Sequence, residues 1–195
     1  MSYRLVSAPF LAPVLAPILA IGLAACSAPE PSLATLSATS TATTSTTTAT
    51  TTTTTPVGDL DPKESAGTAA ELQVQDVRVG THDGYDRIVF EFSGTGTPGW
   101  FINYTTEPAQ QGSGFPVEFE GGTALDIHLR GILMPFETGV DVGPLRSDGA
   151  GAINAVESHG IFEGQEQFVA GIDKPRPYSV TLLENPTRLV IDIQQ

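Results

Sequence analysis

The stretch RIVFEF at 87–92 sets Ile88, Phe90 and Phe92 on one side of an extended chain and Arg87, Val89 and Glu91 on the other. Successive side chains of a strand point to opposite faces, so this spelling describes a half-buried β-strand. The alternation recurs. Trp100, Ile102 and Tyr104 alternate with Phe101 and Asn103, and Leu125, Ile127 and Leu129 with Asp126, His128 and Arg130. Tyr178, Val180 and Leu182 share a face, as do Leu189, Ile191 and Ile193. Residues 72–79 alternate too, but their phase slips at Gln75 and Asp76, which predicts a β-bulge. Weaker strand signals lie at 117–119 and 165–172. Gly- and Pro-rich turns separate these runs, and no window holds three turns of 3.6-residue periodicity. An all-β sandwich or barrel over residues 71–195 follows. Residues 131–160 are rich in glycine and carry little pattern, which predicts mostly loop with one short element.

The first 70 residues have a different texture. One basic residue, Arg4, precedes an uncharged apolar run from Leu5 to Leu23, interrupted by Pro9, Pro13 and Pro17. That layout predicts a secretory signal peptide over 1–25 and suits a membrane-spanning helix poorly. It closes on Leu23-Ala24-Ala25-Cys26, which resembles the lipobox of bacterial lipoproteins. The resemblance implies cleavage before Cys26, a lipid on its thiol, and a protein held on the outer face of the cell membrane, facing the wall. Two or more acyl chains hold a protein firmly, at about 0.8 kcal/mol per buried CH2. Thr39 to Thr55 then contains 13 Thr, 2 Ser and 2 Ala in 17 residues, which cannot build a core. Residues 26–70 therefore read as the lipidated cysteine plus a disordered tether, spanning about 35 Å as a flexible chain and about 140 Å when stretched. Its Ser, Thr and Pro content also makes it a candidate for O-glycosylation.

Charge and cysteine content narrow the function. Cys26 is the chain's one cysteine, so the domain needs a conventional core in place of disulfides. The net charge is -13, and from Glu71 onward 7 Lys/Arg face 18 Asp/Glu. That balance opposes binding to nucleic acid, and to anionic lipid or anionic wall polymer by bulk attraction.

The closing run ENPTRLVIDI at 184–193 resembles the last strand of AMIN domains, the amidase N-terminal family of bacterial envelope proteins. The runs VRVGTHDGYDRIVFEF at 77–92 and GFPVEF at 114–119 bring it closer to the AMIN-like domain of exported lipoproteins. This resemblance covers about residues 72–195. It implies a small β-sandwich of two similar antiparallel sheets, linked to peptidoglycan binding and to the placing of envelope machinery. No hydrolase domain follows the final strand, so the expectation is a module without an attached enzyme as cargo.

Candidate site residues concentrate in GTHDGYDR at 80–87. His82 with Asp83 or Asp86 could hold a metal or exchange a proton, with Tyr85 and Arg87 beside them. The competing structural reading is a hairpin turned by Asp83 and Gly84, with Arg87 bonded to an aspartate. Tyr85 and Phe115, in glycine-flanked loops, are expected to be exposed and are candidate platforms for a sugar, since aromatic rings stack on its apolar face. Trp100 and Tyr104 share a face with Ile102 and belong to the core. Asp126, His128 and Arg130 are expected on a solvated face, each about 7 Å from the next and so out of mutual contact. His159 has no partner that sequence identifies. No motif for a nucleophile or a zinc protease occurs, and EF-hand spacing is absent. The expectation is a non-catalytic binding module without metal or cofactor, for peptidoglycan or another wall glycan. The alternative is a scaffold that docks an envelope protein, by strand addition at a sheet edge.

Overall fold

The computed structural model describes residues 56–195. The leader, Cys26 and the Thr-rich run 39–55 lie outside the described residues.

The alternating runs form two antiparallel sheets. Among the described residues ten strands occur in the order β1 (Lys63–Ser65), β2 (Glu71–His82), β3 (Tyr85–Thr95), β4 (Gly99–Thr105), β5 (Thr123–Arg130), β6 (Arg146–Ala150), β7 (Ile153–Phe162), β8 (Gln165–Ile172), β9 (Tyr178–Leu183) and β10 (Arg188–Gln194). A one-turn helix, α1 (Pro135–Thr138), lies between β5 and β6. The six-stranded sheet runs β1-β4-β5-β8-β7-β6 and the four-stranded sheet β2-β3-β10-β9. The fold is an all-β sandwich, as the alternation predicts.

The expected inward residues make the core. Ile88, Phe90, Ile102, Leu125, Ile127, Leu129, Tyr178, Leu189, Ile191 and Ile193 are all fully buried. Phe90 from one sheet meets Phe168 from the other at a ring separation of 4.8 Å, which locks the two layers across their middle. The predicted slip in β2 is real. Val74 pairs with Phe92 and Asp76 with Glu91, so Gln75 is the extra residue. The bulge lets Val74 and Val77 both reach the core despite their odd spacing.

Three expectations are corrected. The 131–160 region is not mostly loop, because it contains α1, β6 and most of β7. Register shifts at Ile153/Ala155 and Ser158/Ile161 break the alternation in β7 and hide it from a pattern of period two. Residues 117–119 are not a strand; Ala109 and Pro116 form an isolated bridge, and the segment crosses the six-stranded sheet instead of joining it. Residues 56–70, grouped with the tether by composition, are built into the sandwich. β1 pairs with β4, and Tyr178 donates its backbone N–H to the Asp59 carbonyl at 2.9 Å.

Candidate functional site: a grooved outer sheet face

The hairpin at 80–87 has a structural logic. His82 and Tyr85 are the last pair of β2 and β3, and Gly84 takes a φ of 85° in the turn between them. Tyr85 is not exposed but buried, contrary to expectation. Its ring stacks on His82 at 4.8 Å and lies under the Arg87 guanidinium at 5.1 Å. Arg87 donates to both carboxylate oxygens of Asp192, at 2.6 and 2.9 Å. The neighbouring carboxylate raises the Arg87 pKa further above its ordinary value. Asp86 points the other way, into the sandwich, where it is fully buried. Its carboxylate accepts the Ala152 backbone N–H and the Gln195 side-chain amide, each at 2.9 Å. It thus ties the β2–β3 hairpin to the β6–β7 turn. Asp83 remains exposed at the tip. Phe115 is separated from this cluster: it lies in the segment covering the other sheet and is 68% exposed.

The segment 106–122, between β4 and β5, folds back over the outer face of the six-stranded sheet. Val117 packs there on Ala124 and Val169, with Phe119 beside them. Below it lies a polar network. Gln167, fully buried, donates to Asp126 at 2.9 Å and to the Ala109 carbonyl at 3.0 Å, and accepts the Gln111 backbone N–H at 3.2 Å. His128 Nε2 is 3.2 Å from Asp126 Oδ2. The expectation that these two could not touch is corrected, because side chains on one strand face lean along the strand and close the gap between their backbones. His128 donating from Nε2 leaves Nδ1 as the acceptor for the Gln111 side-chain amide.

Three hollows border this crossing segment. The first, about 210 Å³, lies between residues 118–120 and the strands β6–β8. Phe119 and Val169 supply its apolar wall, and Glu118, Glu120, Glu157, Arg146 and His159 its polar one. Arg146 is bonded to Glu157. Burial lowers the His159 pKa, partly opposed by the nearby Asp126 carboxylate, and so favours the neutral ring. The second hollow, about 390 Å³, opens between Gln111, Gly112 and the β7–β8 turn, beside Phe101, Arg130 and Phe162. The third, about 540 Å³, lies between the arms 106–109 and 116–119 of the segment itself. The two larger hollows fall within the size range of small-ligand sites.

The three histidines do not converge. His82 is on the outer face of the four-stranded sheet, whereas His128 and His159 are on that of the six-stranded sheet, in different hollows. Among the described residues no group of three metal-ligating side chains is close enough to hold an ion. Reading in sequence missed Gln111, Phe119, Arg146, Glu157, Phe162 and Gln167. The available signal was the run Gln165-Glu166-Gln167 opening a strand that is otherwise apolar.

A family model for the AMIN-like domain matches residues 72–195. The chain belongs to the AMIN-like domain family, and that membership suggests a cell-wall-related binding or scaffold module. No curated protein and no solved structure matches the chain.

Proposed function

We propose that the chain is a lipid-anchored, non-catalytic envelope protein whose sandwich binds a wall glycan, peptidoglycan first, on the outer face of the six-stranded sheet. The carrying observation is the crossing segment flanked by hollows that combine aromatic rings with carboxylates, amides and histidines. Phe101, Phe115, Phe119 and Phe162 offer apolar faces, and the polar rim offers hydrogen bonds of the kind sugar hydroxyls require. The acidic surface disfavours a densely anionic polymer and leaves a largely neutral glycan as the better fit. In this reading Cys26 carries the lipid, and the Thr-rich run lets the sandwich reach into the wall.

A second reading, docking of an envelope protein, is supported by the exposed apolar side chains Phe136, Val140 and Val142 around α1. Co-sedimentation separates the two. The full-length chain in detergent should pellet with purified wall material, and Phe115→Ser with Phe119→Ser should reduce this more than Phe136→Ser does. The reverse order, or no pelleting at all, removes the glycan reading. For the anchor, the intact mass of the membrane fraction should show a lipidated N-terminal Cys26; a bare thiol there removes that part.

A further inference from the structure

The second hollow has a property that the first lacks. Arg146 in the first is neutralised by Glu157, whereas Arg130 in the second has no carboxylate at salt-bridge distance among the described residues. The side-chain bond it makes is a long one, from Nε to Gln165 Oε1 at 3.4 Å. Arg130 is half-buried, and like Arg188 it has no acid partner among the described residues; unlike Arg188, it lines a hollow. Guanidinium matches a carboxylate geometrically, with two parallel N–H···O bonds. Aromatic rings stand beside it. Phe101 lies next to His128, and Phe162, 45% exposed, packs over Gly112. A Cβ at Gly112 would come within 3.0 Å of that ring, so the ring and the Gly112 backbone are closely packed. One further atom bears on the same place. Gln111 Oε1, in that wall, is the one buried side-chain polar atom without a hydrogen-bond partner among the described residues. A ligand hydroxyl is a donor that would pair it.

We propose that this hollow binds a pyranose that carries a carboxylate. The carboxylate sits on the Arg130 guanidinium, the apolar sugar face lies against Phe101 and Phe162, and hydroxyls reach Gln111, Gln165 and Glu163. The assignment rests on the glycan-binding reading above and adds that one sugar of the polymer carries a free carboxylate, as muramic acid does only where no peptide is amide-linked to it.

The probes are N-acetylmuramic acid and N-acetylglucosamine, which share a ring and differ by a carboxylate-bearing ether. Ligand-observed saturation-transfer NMR on the full-length chain in detergent micelles measures both. The acid should bind about tenfold more tightly, the factor expected of one charge-assisted hydrogen-bonded pair. Arg130→Gln should bring the two sugars to equal affinity. Phe162→Ser, at a position half open to solvent, should weaken both together, and an unchanged melting transition shows that each variant is folded. Equal binding of the two sugars by the unaltered chain overturns the assignment, as does a preference that survives Arg130→Gln. If the chain still pellets with wall material in those cases, wall binding stands without it. If neither sugar binds and nothing pellets, both fall.

Discussion

Glu166 is a carboxylate whose surroundings work against its charge. It lies in the row of β8 that faces the core, between Leu129 and Ile161, and only the Ser158 hydroxyl, donating at 2.8 Å, serves its carboxylate. Burial pushes its pKa up to about 7, partly opposed by that bond. The folded state therefore holds the proton to about pH 7, while the unfolded chain releases it near 4.5. Stability from this group is complete below pH 4.5 and is lost as pH rises to 7, on the order of 3 kcal/mol at 1.36 kcal/mol per unit. Urea midpoints taken at pH 5 and pH 8 should show that fall in the natural chain, and Glu166→Gln should show much less of it. Asp86 provides a second test. Asp86→Ala orphans the Ala152 N–H and the Gln195 amide, and should cost about 2–3 kcal/mol in chemical denaturation. Gly151→Ala should cost a similar amount, since Gly151 takes a φ of 62° and a methyl there would overlap the Asp86 carboxylate.

At the scale of elements, the similar spelling of RIVFEF and RLVIDI has a structural cause. β3 and β10 are antiparallel neighbours, and their register sets Arg87 opposite Asp192 and Arg188 opposite Glu91. One short pattern, read in opposite directions, thus makes its own complementary charges across the pair. Asp192 is nearly buried and Arg87 about one-third exposed, so the two changes differ in effect. Arg87→Ala leaves a buried carboxylate unpaired and should cost about 1–3 kcal/mol, while Arg87→Ala with Asp192→Asn should recover most of it, as a thermal double-mutant cycle would show. The two strands were legible because both alternate without interruption; that they pair with each other was not. β6 and β7 were not: two bulges shift the phase of β7, and β6 has one apolar residue, Ala150. The grooved face was hidden for a related reason. Its members come from β4 to β8 and the 106–122 segment, and no local pattern in the sequence records which outward residues a crossing segment will cover. Asp126 and Gln167 look like ordinary solvated positions until Ala109 and Gln111 are laid over them.

For the whole molecule, composition places the tether's end near residue 70, but the sandwich takes hold of the chain by Pro56. Gln194 donates its side-chain amide to the Pro56 carbonyl at 2.8 Å, and Asp59 bridges to Tyr178. Lys63 lies over the Tyr178 ring at 4.8 Å, and β1 then pairs with β4 opposite Trp100 and Ile102. The strap thus bonds β9 and β10 of one sheet and β4 of the other. Gly58 passes so close to the Tyr178 backbone that a Cβ there would overlap it. A chain beginning at Glu71 loses these bonds and uncovers Tyr178, which the strap helps to bury. The loss should be about 3 kcal/mol, from two or three backbone hydrogen bonds at about 1 kcal/mol each and a cation–π contact of about 0.5–1 kcal/mol. Urea unfolding of 56–195 against 71–195 measures it, and a larger m-value for the longer chain would report that the strap unfolds with the sandwich. Gly58→Val in the longer chain should reproduce part of the deficit by lifting the strap away from Tyr178. Equal stability of the two lengths would mean that the strap contributes nothing to holding the sheets together, and that composition had placed the boundary correctly after all.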